Sequence, residues 1–226
     1  MPRLGRHPLK VKGLRDEINH QDITITTIVH IPTLSGYWEQ SLEVLKLFFE
    51  SLFASTNLPF DLMVFDNNSC IEVQNFLLSL KRESKIQYLI LSQHNLRKLG
   101  ALNHLLTMAP GKYVAFADSD VYFIPQWLEE SLKILKTFPD AGQVTALPII
   151  TEAGERYVST LAGIEKDSKI EVAYGTNLIP EEYVIAHSSS IGSSLEKYLE
   201  RTPKRKDILI KYMFNGLMRI KGRIIC

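Results

Sequence analysis

Two acids one residue apart, Asp118 and Asp120 in the segment FADSDVYFIPQWLEE (116–130), are the side chains of this sequence best suited to chemistry. In an extended segment successive side chains alternate, so the two carboxylates share one face and Ser119 takes the other. No Lys or Arg stands beside them in the sequence, and the pair would repel unless a cation lay between. A hard divalent ion, Mg²⁺ or Mn²⁺, takes one or two carboxylates and completes its shell with substrate phosphates. The same triplet also occurs in ordinary solvated turns. Its position in the fold has to decide.

The elements around it alternate regularly. ITITTIVHI (23–31) is β-branched and nearly continuous in apolar residues or Thr, the pattern of a strand covered on both faces, and Pro32 stops it. Leu42, Leu45, Phe49 and Leu52 then form an amphipathic helical stripe within 38–54. DLMVFD (61–66), IQYLIL (86–91) and YVAFA (113–117) read as three more strands. Helices are expected around Val73 to Leu80, around Leu99 to Ala109, and from Pro125 through Leu135, with Pro125 in the first turn. Four βα units in a row predict an α/β fold with a mainly parallel sheet and helices on both faces, because parallel neighbours need crossovers. Ligands of such sheets bind at the carboxyl ends of the strands. Those ends are Pro32-Thr33, Asp66-Asn67, Ser92 to Asn95 and Asp118 to Asp120. Beyond Leu147 the pattern weakens to RYVSTLAG and KIEVAYGTNLI, followed by two expected helical stretches, 193–201 and 208–218.

Composition excludes several alternatives. The 226 residues are 45% hydrophobic and 23% charged, with 26 Lys+Arg against 25 Asp+Glu for a formal charge of +1. That balance suits a globular protein with a sizeable core and argues against disorder and against nucleic acid as the main partner. No apolar run approaches the ~18–20 residues that cross a bilayer, and the basic start MPRLGRHPLKVKGLR has no apolar stretch for a secretory signal. Cys70 and Cys226 are too few for a disulfide framework, so a cytoplasmic location is expected. Three regions follow: a basic arm over 1–21, an α/β half over 22–150, and a lid or acceptor-facing region over 151–226 packed on the same sheet.

The ordered motifs resemble the nucleotide-sugar-dependent glycosyltransferases of family 2. The resemblance covers roughly residues 23–150. HIPTLS (30–35) is similar to that family's first-strand Pro-Thr turn, and FDNNS (65–69) to its Asp-Asp-Gly-Ser or Asp-Asn-x-Ser segment. NLRKLGALN (95–103) is similar to Asn-x-Gly-x-x-x-Ala-x-Asn, and DSDVYFIPQWLEE to the Asp-x-Asp motif with its following Pro-x-Trp-Leu. The resemblance implies a GT-A-like, Rossmann-type three-layer sandwich with a small C-terminal acceptor-side region. It implies sugar transfer from a nucleoside-diphosphate sugar to an acceptor hydroxyl with Mn²⁺ or Mg²⁺, inverting at the anomeric carbon. Thr33, Asp66, Asn67 and Lys98 would lie around the nucleoside, Asp118 near the ribose or metal, and Asp120 on the metal. Each has a plainer alternative as turn residue, cap or solvated charge. Arg97 stands where the family commonly has Gly, and Asn67 replaces the second Asp often seen there, which leaves the donor base open.

The catalytic base is the weakest point of the resemblance. The family's Glu-Asp pair is absent before LMRIKGRII (217–225), and Asp207 is the nearest upstream acid. Glu181 and Glu182 come next, although acids opening a helix commonly serve its N-terminal dipole. His187 suits a structural hydrogen bond better than a third metal ligand. The tail from Arg201 is basic and amphipathic, suited to anionic lipid and thus to a lipid-linked acceptor, beside glycan or small-molecule acceptors. A non-catalytic nucleotide-sugar binder or regulatory partner is the main rival reading.

Overall fold

The computed structural model describes residues 19–138, 141–145, 162–163, 166–175, 178 and 180–200, together with the backbone of 207–214 and 217–224. The basic arm up to residue 18, most of RYVSTLAG, and the basic side chains of the tail lie outside the described residues. The chain divides into two compact units, one up to Pro125 and one from Gln126 on.

The first unit carries four strands: β1 (Ile23–Val29), β2 (Asp61–Asn67), β3 (Tyr88–Ser92) and β4 (Tyr113–Asp118). Between them run α1 (Ser41–Ser55), α2 (Ile71–Arg82) and α3 (Arg97–Met108). The strands are all parallel in the order β3-β2-β1-β4. From β1 through β3 the chain steps one way, then jumps back past β1 to β4. Right-handed crossovers therefore place α1 and α2 on one face and α3 on the other. In agreement, Ala101 and Leu105 of α3 pack with Met63 and Phe65, joined by Ile28, Ile90 and Phe116. Leu62 and Val64, which alternate to the opposite face, are also fully buried. The stripe of α1 is Leu45, Phe48, Phe49 and Leu52, with Leu42 only half-buried. Phe49 meets Phe76 of α2 edge-on at 5.9 Å.

Central β1 lies so deep that Thr24, Thr26 and Thr27 are all 0% exposed. Thr24 Oγ1 accepts the Gly111 N–H at 2.9 Å. A Cβ at Gly111 would stand 2.7 Å from the Thr24 nitrogen, so the approach requires glycine. The hydroxyls of Thr26 and Thr27 have no partner among the described residues. A buried unpaired hydroxyl costs about 1–3 kcal/mol. Thr27→Val is therefore expected to stabilise the protein by about 1 kcal/mol and to raise its melting temperature by about 2–4 °C in a thermal scan.

After β4 the chain does not wander. Phe123 is buried, and its ring meets Phe48 at 5.3 Å. Its N–H donates to Ser51 Oγ at 3.2 Å, and Ser55 Oγ donates to its carbonyl at 3.1 Å. Two hydroxyls one turn apart on α1 thus grip both backbone groups of one residue. The segment between Asp118 and Phe123 is fixed at both ends.

In the second unit, α4 (Trp127–Thr137) begins two residues after Pro125, not at it. Gln126 has φ 69°, a left-handed conformation that prevents a helix from running on directly out of the proline. β5 (Ile170–Gly175) pairs antiparallel with β6 (Asp207–Phe214), and β6 with β7 (Leu217–Ile224), in a three-stranded sheet of their own. The helix expected over 208–218 is thus a hairpin. Ile, Tyr and Phe in DILIKYMF favour strand, and the intervening dipeptide Asn215-Gly216 is a strong hairpin signal. Between β5 and β6 come α5 (Glu181–Ser190) and α6 (Leu195–Glu200), which bury Val184 and Tyr198 together. Among the described residues no helix is long and apolar enough to cross a membrane.

Candidate functional site

The strand order reverses between β1 and β4, which opens a crevice beyond their carboxyl ends. A cavity of about 820 Å³ lies there, lined on one side by Ile28, His30 and Ile31 and on the other by Asp118, Ser119 and Asp120. Tyr37 and Trp38 from the turn after β1, and Asn67, Asn95, Arg97 and Lys98, complete much of the wall.

Three side chains from three strand ends close a ring of hydrogen bonds. Asn67 Nδ2 donates to Asn95 Oδ1 at 3.0 Å, Asn95 Nδ2 to His30 Nε2 at 3.0 Å, and His30 Nδ1 to the Asn67 carbonyl at 2.9 Å. Asn95 Oδ1 also accepts the Arg97 N–H at 2.7 Å, which fixes which end of that amide faces His30. In this ring Nε2 accepts and Nδ1 donates. Asn67 Oδ1 accepts the Leu96 N–H at 2.8 Å. The asparagines thereby fasten the start of α3, where Arg97 sits at φ 58°. This conformation costs a non-glycine residue about 1 kcal/mol or more. Arg97 lines the cavity.

The acids are held differently from each other. β4 ends at Asp118, and the Val121 N–H closes a turn onto the Asp118 carbonyl at 3.3 Å. A turn, not strand alternation, thus brings Asp118, Ser119 and Asp120 to one cavity. Lys98 Nζ lies 2.6 Å from Asp118 Oδ1 and 5.7 Å from the centre of the Phe116 ring. A basic partner therefore does stand beside the acid pair, reaching across from α3. Asp120 is exposed and has no ion-pair partner among the described residues.

The family described as Glycosyl transferase family 2 matches residues 29–208, well over half of the chain. The chain belongs to that family. Among solved structures it is similar to S. aureus TarS residues 1–349, with 16% identity and a TM-score of 0.44, over 60% of this chain and 43% of that one. It is likewise similar to S. aureus TarS over 24% of that chain, at 15% identity and a TM-score of 0.43. A third similar structure, S. aureus TarS 1–349 in complex with UDP-GlcNAc, has 18% identity and a TM-score of 0.39, over 58% of this chain and 38% of that one. The chain spans less than half the length of each. No curated protein matches it.

The motifs that carried the family resemblance fall mostly, but not wholly, at the cavity. Asn67, Lys98, Asp118 and Asp120 line it. Asp66 does not. Fully buried, it accepts the Ser69 N–H at 3.2 Å and Gln74 Nε2 at 3.0 Å, which makes it the cap of its own turn. Thr33 is exposed in the loop, its Oγ1 3.0 Å from Ser35 Oγ, and it too lies outside the lining. Asp207 opens β6 opposite Gly175 in the second unit, and its side chain is not among those described. Glu181 and Glu182 are exposed in the first turn of α5, and His187 on the same helix meets Tyr198 edge-on at 5.5 Å. Residues missed from the sequence are His30, Tyr37, Trp38 and the side-chain amide role of Asn95 in holding His30, Asn67 and the Arg97 N–H. Only the position of HIPT at a strand end could have pointed to the first.

Among the described residues no group of three or more His, Cys, Asp or Glu side chains is placed to hold a metal ion. Two carboxylates at a solvent-open cavity, one of them already ion-paired, fit a divalent ion whose shell is completed by water or substrate oxygens.

Proposed function

We propose that this domain transfers a sugar from a nucleoside-diphosphate sugar to an acceptor hydroxyl. One observation carries the reading: a cavity of about 820 Å³ at the β1–β4 crevice whose wall combines Arg97 and Lys98 with Asp118 and Asp120. Its size lies within the roughly 300–1,000 Å³ usual for small-molecule sites. As the glycosidic bond breaks, negative charge builds on the departing diphosphate, and fixed cations aimed at it lower the barrier. Arg97 and Lys98 supply two such charges. A divalent ion on Asp120, and on Asp118 once Lys98 moves aside, would add Lewis-acid stabilisation. Tyr37 and Trp38 offer ring faces at the cavity for a nucleobase or sugar. Inversion requires a base that takes the acceptor proton from the opposite side, the role proposed for Asp207. Glycans, small molecules or lipid-linked sugars are the acceptor classes, the last favoured by the basic tail.

Thermal shift tests the donor. UDP, GDP, ADP and UDP-GlcNAc, the last seen with TarS, are each added with Mn²⁺ and with EDTA. A ligand at a hundred times its dissociation constant stabilises by about 2.7 kcal/mol. For a chain of this length that is about 5–10 °C in melting temperature. At least one nucleotide is expected to give such a rise, and no rise with any of them would overturn the reading. Donor hydrolysis above background separates the enzyme from a pure binder, which shows none.

A further inference from the structure

The Lys98–Asp118 pair gives the site a property that an acid pair alone would not have. Lys98 enters from the second residue of α3, while Asp118 ends β4, and the two meet at the cavity wall. Both side chains are more than half exposed, at 61% and 52%, so the pair contributes little to stability. Its importance lies in where it holds the ammonium. Asp118 Oδ1 takes one of the three N–H donors of Lys98, and two remain directed elsewhere. An ammonium so placed can touch a carboxylate and a phosphate at once, the same bridge that a divalent ion makes between protein and diphosphate. Arg97, beside it in the lining with its backbone held at φ 58° by Asn67 and Asn95, brings a second cation. The lining therefore holds Arg97 and Lys98 against Asp118 and Asp120 before any ion is bound.

We propose that Lys98 is a resident counter-ion at Asp118 that competes with a divalent cation for that carboxylate and bridges it to the substrate diphosphate, so that nucleotide binds without metal. Asp118 is then a positioning residue for Lys98, and only Asp120 stays open to an ion. The diphosphate part of this proposal rests on the donor reading above. The competition part does not.

Two measurements on the full chain separate them. Mn²⁺ alone is titrated by electron paramagnetic resonance into wild type, Lys98→Met, Lys98→Arg and the double variant Lys98→Met/Asp118→Asn. A neighbouring unit positive charge repels a doubly charged ion even in bulk water, so Lys98→Met is expected to bind Mn²⁺ about tenfold or more tightly than wild type. The double variant is expected to lose that gain, and Lys98→Arg to resemble wild type. Equal Mn²⁺ affinity in wild type and Lys98→Met would overturn the competition. UDP and GDP are then titrated by calorimetry in EDTA and in Mn²⁺. Wild type is expected to keep measurable affinity in EDTA, and Lys98→Met to lose about tenfold there while recovering it with Mn²⁺. Wild-type binding abolished by EDTA would overturn the bridge. If neither nucleotide binds under any condition, the bridge fails with the donor reading, and the Mn²⁺ titration still decides the competition.

Discussion

Asp120→Ala is expected to reduce sugar transfer by about 10²–10³-fold while leaving the melting temperature within a degree of wild type. The rate effect follows from position: Asp120 lines the cavity where the diphosphate charge is proposed to develop, and removing one preorganised electrostatic contact at such a site costs about that much. The absence of a stability effect follows from exposure, because the carboxylate is solvated and has no ion-pair partner among the described residues. Single-turnover transfer at saturating donor, measured beside a thermal scan, reads both. Asp118→Asn is the informative comparison. It removes the partner of Lys98, so it should raise the donor KM more than Asp120→Ala does, since a released ammonium is no longer aimed. An Asp120→Ala enzyme with an unchanged rate would remove that acid from the mechanism.

Phe123→Ala is expected to cost about 3–5 kcal/mol of stability, the usual range for deleting a buried aromatic ring. Phe123 is 4% exposed, packs edge-on against Phe48, and has both backbone groups held by Ser51 and Ser55. Deleting the ring empties the contact and loosens an anchor just downstream of the acid turn. Nucleotide affinity should therefore fall along with stability, even though Phe123 lies outside the cavity lining. Phe123→Leu keeps most of the apolar volume and should lose less of both. Urea unfolding gives the first quantity and calorimetry with UDP or GDP the second. Should Phe123→Ala fail to fold, the leucine variant still tests the coupling. Lost stability with undiminished affinity in that variant would show that the acid turn holds its shape unaided.

The parallel sheet and the edge where ligand chemistry gathers follow from periodicity alone. ITITTIVHI, DLMVFD, IQYLIL and YVAFA are local patterns, and strand and helix periods act over a few residues. Once four βα units are recognised, crossover handedness and strand order leave little freedom, and Asp118 and Asp120 must fall at the carboxyl ends. The tail shows where local reading failed. The stretch 208–218 reads locally as a helix, although Asn215-Gly216 within it carries the opposite signal.

Partnerships between side chains needed the tertiary structure. Nothing near Asp118 in the sequence announces Lys98, twenty residues earlier and on another element. The ring of His30, Asn67 and Asn95 joins three strand ends that only sheet register brings together. Asp66 and Asn67 are neighbours with equal claim to a ligand by residue type. The pleat sends them to opposite faces, one sealed beneath its own turn and the other into the cavity wall. Propensity and hydrophobic period are properties of a short window of chain. Which charge meets which is set by how distant windows are stacked, and that is decided only when the sheet forms.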